Sequence, residues 1–238
     1  GELVNDASFS VQKGEIFGIG GLAGQGKIGI PNGIMGLFRA GGEVLFKGKP
    51  LDMSKTAQVL SEGIAFVSED RRGVGLLLDE SLDWNIAFTA MQAKNKYLKK
   101  YLGGLITLRD EKAMKALADD YIKMLKIRCT GSQQKARELS GGNQQKVCLA
   151  KAFCLEPDLL FVAEPTRGID VGAKYEIYQL IINMAKAGKT IIVVSSEMPE
   201  ILGITNRIAV MSNYRLAGIV DTATTDQEAL LRLSARYL

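Results

Sequence analysis

Three short stretches of this chain carry residue types and spacings that could handle a phosphate ester. Gly21-Leu22-Ala23-Gly24-Gln25-Gly26-Lys27 combines three glycines with a lysine. Such glycines let the backbone curl tightly and turn its N–H groups inward. With the N-terminus of a following helix, those groups form a cradle for an anion. Lys27 would set an ammonium beside the β- and γ-phosphates. Further on, Leu139-Ser140-Gly141-Gly142-Asn143-Gln144-Gln145-Lys146 offers a hydroxyl and two glycines where a helix can begin. Leu159-Leu160-Phe161-Val162-Ala163-Glu164 is an apolar strand ending beside a carboxylate.

One position lacks an atom that phosphate chemistry usually calls on. After a loop of this kind a Ser or Thr hydroxyl binds Mg²⁺, but here the residue is Ile28. The helix to follow contains Gly29, Pro31, Gly33 and Gly36, all poor helix residues. A Pro31 beyond the first turn would delete a backbone bond and cost about 3 kcal/mol, so a bent or delayed helix is expected.

Composition narrows the chemistry further. None of the 238 residues is a histidine, which excludes a His base, a His–Asp dyad and every zinc–histidine motif. The net charge of +4 does not argue for nucleic acid. The densest basic run, Lys94, Lys96, Lys99 and Lys100, reads as a solvated face. Cys129, Cys148 and Cys154 match no metal or redox spacing and read as buried thiols in a reducing compartment. No apolar stretch is long enough to span a bilayer and no signal peptide opens the chain. A cytosolic protein is expected, with any membrane role coming through a partner.

The elements that must position these residues follow from periodicity. Residues 3–11 alternate apolar and polar, as a half-buried strand does. Further strands are expected at 15–20, 43–47, 64–67, 159–163, 190–195 and 207–212. Residues 84–128 read as mainly helical, with Met114, Leu117, Ala118, Tyr121, Ile122 and Leu125 at helical spacing. A helix over 174–187 should stop at Gly188. Buried strands alternating with helices imply an α/β fold with a mostly parallel sheet. The helical stretch should form a lobe of its own.

In this order and spacing, the phosphate loop, the LSGG-x-Q-like signature and the strand ending at Glu164 resemble those of ATP-binding-cassette (ABC) ATPases. More narrowly, the chain resembles the ATP-binding subunits of bacterial ABC importers for simple sugars of the ribose, galactose or xylose type, in which two cassettes are fused in one polypeptide. Phe66-Val67-Ser68-Glu69-Asp70-Arg71-Arg72 looks like the second of these cassettes, where Glu replaces the usual Q-loop glutamine. Glu164-Pro165-Thr166-Arg167-Gly168-Ile169-Asp170-Val171-Gly172-Ala173-Lys174 and Ser195-Ser196-Glu197-Met198-Pro199-Glu200 match it too. The resemblance implies a P-loop ABC ATPase with a mostly parallel core sheet, an antiparallel β region and a helical lobe. Residues 1–238 would form a single nucleotide-binding domain, with 1–82 and 156–238 as the ATPase core lobe and 83–155 as the helical lobe bearing the signature. It also implies a fragment, lacking the N-terminal cassette and a first strand with an adenine-stacking aromatic.

The same resemblance assigns roles. Gly21, Leu22, Ala23, Gly24, Gln25, Gly26, Lys27 and Ile28 would hold nucleotide. Ser140, Gly141, Gly142, Asn143 and Gln144 would act in trans, on nucleotide held by a facing cassette. Glu164 would polarise the attacking water, Glu69 would sense the membrane partner, and Asp170 would lie in the D-loop. Ala163 stands where a magnesium-binding aspartate is expected, and Ser196 where active cassettes have the switch histidine. The implied cofactors are ATP and Mg²⁺, the latter with its protein ligands missing. The implied partners are a facing cassette, transmembrane permease subunits and, indirectly, an extracellular sugar-binding protein, with no nucleic acid. The place of action would be the cytoplasmic face of the cell membrane.

Simpler readings stand beside these. Glu164 could merely end a strand, and Asp170 could cap the helix beginning near Gly172. Glu69 and Asp70 with Arg71 and Arg72 could be a surface ion cluster. Trp84 reads as core of the helical lobe rather than as an adenine stack. The expected function is a nucleotide-binding domain that couples ATP binding and hydrolysis to sugar uptake, weak when isolated. The alternatives are a non-hydrolysing regulatory module or a soluble ABC ATPase.

Overall fold

Runs of apolar, largely β-branched residues that bury both faces become the strands of one central sheet. The computed structural model describes residues 3–101 and 105–238. In chain order, β1 (Ile16–Gly20) leads to α1 (Gly29–Ile34), β2 (Leu45–Phe46), β3 (Lys49–Pro50), α2 (Thr56–Ser61) and β4 (Ile64–Val67). Then come α3 (Leu82–Lys94), β5 (Leu98–Tyr101), β6 (Ile106–Arg109), α4 (Glu111–Met124) and α5 (Gly141–Phe153). The remainder is β7 (Leu159–Ala163), α6 (Val171–Lys186), β8 (Thr190–Val194), α7 (Met198–Ile204), β9 (Arg207–Ser212), β10 (Arg215–Asp221) and α8 (Gln227–Ser234).

The six-stranded sheet has the order β10-β9-β1-β8-β7-β4. Strand β1 runs parallel to both β8 and β9, and β7 runs parallel to β8. Strand β10 closes the edge antiparallel to β9. Strands β2 and β3, and likewise β5 and β6, pair antiparallel as small sheets of their own. Sheets of parallel strands are covered on both faces, and Phe17, Ile19, Phe161, Ile192 and Val194 accordingly lie in one buried cluster. The loops after β1, β8 and β7 all leave from the carboxyl edge, the place where open α/β sheets bind ligands.

The chain forms two compact units. One comprises residues 1–66, 157–167 and 178–238, and the other 67–156 and 168–177. In the second, α3 packs against both α4 and α5. Helix α4 presents Met114 and Ala118 to this core, and Trp84 is partly buried beneath the Arg109 guanidinium, 4.7 Å from its ring centre. Among the described residues no helix is long and apolar enough to cross a membrane.

Several expectations need correction. Residues 3–11 form no strand; their only ladder contact is one bridge from Asp6 to Arg215. The alternation is still realised in burial, because Val4, Ala7, Phe9 and Val11 pack on the sheet's core cluster. Of 43–47 only Leu45–Phe46 is strand. The stretch 84–128 is interrupted by the paired strands β5 and β6, where Lys99 and Lys100 are exposed. Cys129 is only partly buried, unlike Cys148 and Cys154. The helix after the glycine loop is delayed, as expected, but Pro31 does not lie beyond its first turn. Helix α1 starts late, at Gly29, so Pro31 falls in the first turn, where a backbone N–H has no intrahelical acceptor to lose. The stop of α6 is as expected. Gly188 has φ +86°, Gly188 N–H bonds the Ala185 carbonyl, and Lys189 N–H bonds that of Met184, which is a Schellman ending.

Because Phe161 is wholly buried in the sheet, Phe161→Ala should cost about 3–5 kcal/mol of stability. Phe38→Ala removes a side chain that is mostly exposed and should stay within about 0.5 kcal/mol. Urea unfolding of the two variants measures both.

Candidate functional site

The loop after β1 curls through three glycines at positive φ, Gly21, Gly24 and Gly26. Lys27 is only 2% exposed. Its Nζ folds back over the loop and donates to the Leu22 carbonyl at 2.6 Å. Ile28 caps α1 without a side-chain hydrogen bond and packs against the core cluster that also contains Ala163. Ala163 itself is fully buried. Both positions expected to ligate a cation therefore face hydrocarbon and offer no ligand atom. The residues present do not fit a magnesium site of the usual kind.

At the carboxyl ends of β7 and β8, Glu164 and Ser196 meet. The Ser196 amide and hydroxyl both donate to Glu164 Oε1, at 2.9 and 2.8 Å. Ser195 Oγ donates more weakly to Oε2, at 3.4 Å. Glu164 is buried and holds φ at +45°, while its N–H bonds the Val194 carbonyl at 2.7 Å. A long side chain at positive φ is uncommon and marks a position held by its surroundings. Glu164 thus ends β7 and also ties it to the serine pair that follows β8.

A second carboxylate went unassigned in the sequence. Glu200, only 4% exposed, accepts from Thr166 Oγ1 at 2.6 Å. Burial pushes its carboxyl above the usual range, against the hydrogen bonds from Ser195 and Thr166 that lower it. The usable signal was a second carboxylate three residues after Glu197, just past the end of an apolar strand. Its partner Thr166, thirty-four positions away, could not have been read.

The signature lies in the other unit. Ser140 is the exposed N-cap of α5, and its Oγ accepts from Asn143 Nδ2 at 2.9 Å. Asn143 Oδ1 accepts from the Arg128 amide at 2.8 Å. Gln144 is buried and donates to the Ala136 carbonyl at 3.1 Å. A Cβ on Gly142 would come 2.7 Å from that of Ala173, and one on Gly141 would come 3.2 Å from the Gly168 carbonyl. These glycines let the start of α5 approach the start of α6. Asp170 caps α6, accepting from the Ala173 amide at 3.0 Å, so the capping role is realised. Glu69 is partly buried in the loop after β4, and Asp70 beside it accepts from the Gly73 amide at 2.8 Å.

With this geometry in hand, the family is clear. The ABC transporter family model matches residues 4–167, and the chain belongs to that family. It is 51% identical over 236 residues to the galactose/methyl galactoside import ATP-binding protein MglA of Treponema pallidum, covering 99% of this chain and 46% of that protein. The protein of the same description from Escherichia coli is 42% identical over 236 residues, covering 99% of this chain and 45% of that one. The chain spans about half the length of the curated relatives it matches. Among solved structures, a nucleotide-free ATP-binding cassette from an ABC transporter aligns with a TM-score of 0.76 at 22% identity, over 93% of this chain and 87% of that one. A dimeric cassette bound to ADP and phosphate aligns with a TM-score of 0.75 at 21% identity, over 92% and 90%. At such identity these two speak for the fold.

Near the signature, the buried Lys146 ammonium pairs with Glu176 at 2.6 Å and donates to the Lys126 carbonyl at 2.9 Å. Glu176→Gln should cost about 1–2 kcal/mol, because it strands a buried charge while Glu176 itself is half in water. Lys146→Met added to it should restore part of that loss. The Lys146 ammonium holds the Glu176 carboxyl below its ordinary value of 4.5. The pair's contribution is therefore present above that value and lost as pH falls through the depressed one. Denaturant titrations of wild type and Glu176→Gln should converge in acid.

Proposed function

We propose that this chain is the second nucleotide-binding cassette of an ABC importer for a simple sugar of the galactose class. The carrying observation is the match along 99% of the chain to galactose/methyl galactoside import ATP-binding proteins. The loop Gly21–Ile28 would hold the phosphates of ATP. Glu164, oriented by Ser196, would polarise the attacking water. Ser140, Gly141 and Gly142 would serve nucleotide held by the facing cassette, with Asn143 and Gln144 supporting them. Asp170 would lie at the interface with that cassette, and Glu69 would report on the permease. The cassette would work on the cytoplasmic face of the membrane, with an extracellular sugar-binding protein as an indirect partner.

In this reading the chain's own site is weak. Ile28, Ala163 and Ser196 replace three polar or charged groups, and the loss of a cation clamp removes several kcal/mol of transition-state stabilisation. Phosphate release by this chain alone should run well below about 1 per second; faster release would sink this part of the reading. Ile28→Thr combined with Ala163→Asp should make nucleotide binding depend on Mg²⁺. It should also lower the melting temperature, because the new carboxylate enters an apolar cluster.

A second reading, a regulatory module that holds nucleotide without hydrolysing it, is favoured by the burial of Ala163 and the apolar contacts of Ile28. Complete absence of turnover alongside intact nucleotide binding would select it. The division of labour between the intact signature and the altered loop is tested in the assembled, full-length transporter. Ser140→Arg should abolish sugar-coupled hydrolysis, whereas Lys27→Ala should cost much less. The reverse order of damage would refute a signature that acts in trans.

A further inference from the structure

The hairpin joining β9 to β10 turns through two residues, Asn213 and Tyr214, with φ of +43° and +68°. A two-residue hairpin loop with both φ values positive is a type I′ turn, in which Asn suits the first position and Gly the second. A tyrosine is disfavoured there because its Cβ crowds the following carbonyl oxygen. Such an outlier persists where its surroundings hold it, and it is a reason to look for function.

What surrounds Tyr214 is the phosphate-cradle loop. Tyr214 N–H donates to the Gln25 carbonyl at 3.2 Å, and Asn213 N–H donates to Gln25 Oε1. Gly26 has φ +92°, and a Cβ built on it would strike the Leu3 carbonyl at 2.6 Å and would lie 3.2 Å from both Tyr214 Cα and ring atom Cδ1. The Leu3 carbonyl and the tyrosine together fill the space a side chain at Gly26 would occupy, and the ring lies against this glycine. Its far side is anchored too, since Asn5 N–H donates to the Tyr214 carbonyl at 2.8 Å.

We propose that Tyr214 is a positioning residue for nucleotide binding. Its ring holds the Gln25–Gly26 segment in the curled form that turns N–H groups toward phosphate. A loop built on three positive-φ glycines has many conformations open to it, and ordering it on binding would subtract from affinity. A turn that orders it beforehand removes that cost. The inference rests on the reading of this loop as the cradle for ATP.

The test uses the whole chain, with ATP titrated calorimetrically into wild type, Tyr214→Gly, Tyr214→Phe and Lys27→Ala. Tyr214→Gly suits the positive φ and keeps the turn's amide bonds. It should melt within a few degrees of wild type yet bind ATP about tenfold more weakly. Hydrogen exchange at the Gln25 and Gly26 amides should quicken in the nucleotide-free Gly variant. Tyr214→Phe keeps the ring and should behave as wild type. Unchanged affinity in Tyr214→Gly overturns the inference. So does a large fall in its melting temperature, which would make the ring merely structural, or equal loss in Tyr214→Phe. If wild type binds no ATP, or if Lys27→Ala binds as well as wild type, the cradle reading fails first and takes the inference with it.

Discussion

Strand β1 lies between β8 and β9, parallel to both, with each of its residues buried. That placement leaves no room for polar groups along the strand, since a side chain on either face meets the packed interior. Gly18 shows how tight the fit is, for a Cβ there would come 2.9 Å from the Ile201 side chain. Polar chemistry is thereby confined to the strand ends. At the carboxyl end of β1 the chain can turn only through glycines, and a Cβ on Gly21 would strike the Met211 carbonyl of β9 at 2.5 Å. The same parallel register brings Val194 opposite Ala163, which sets Ser195 and Ser196 beside Glu164. The glycine loop and the serine–glutamate pair thus both follow from one buried strand and its two parallel neighbours.

Much of this was legible in the residues. Ile64–Val67 and Arg207–Ser212 are strands at the bounds their apolar runs implied, because burial on both faces leaves a continuous hydrophobic signal. The loop after β1 and the start of α5 were legible because positive φ in the one and close backbone approach in the other demand glycine at set spacings. Other parts carried no such signal. Strands β5 and β6 are exposed almost throughout, so no burial marks them, and the alternation of Ile106 to Arg109 spans only four residues. Residues 3–11 show a strand's alternation without a ladder, because alternation reports which side is buried and not where the backbone finds partners. The contacts of Glu164 with Ser196 and of Thr166 with Glu200 join positions more than thirty residues apart, and only strand order brings them together.

Gly141 and Gly142 show how one residue can satisfy two demands. Their resemblance to a signature invites a reading in terms of phosphate, yet Gly142 is already committed to the approach of Ala173. A larger residue at 142 would separate two helix starts whatever it did to a ligand. Loss of function on changing it would not by itself identify a nucleotide contact. Exposed Ser140 is the cleaner probe, since its hydroxyl bonds only the neighbouring Asn143 amide among the described contacts.

The groups that hold Glu164 are an amide and two hydroxyls, all electrically neutral. A clamp made of dipoles in a buried setting is little affected by mobile ions, whose screening acts chiefly on exposed charges. Nor does it hold a proton that leaves near neutrality, as an imidazolium would. The orientation of this carboxylate should therefore change little between dilute buffer and concentrated salt. Where a charged latch would loosen as counterions gather, Ser196 holds the carboxylate by an amide and a hydroxyl whose dipoles do not change with ionic strength.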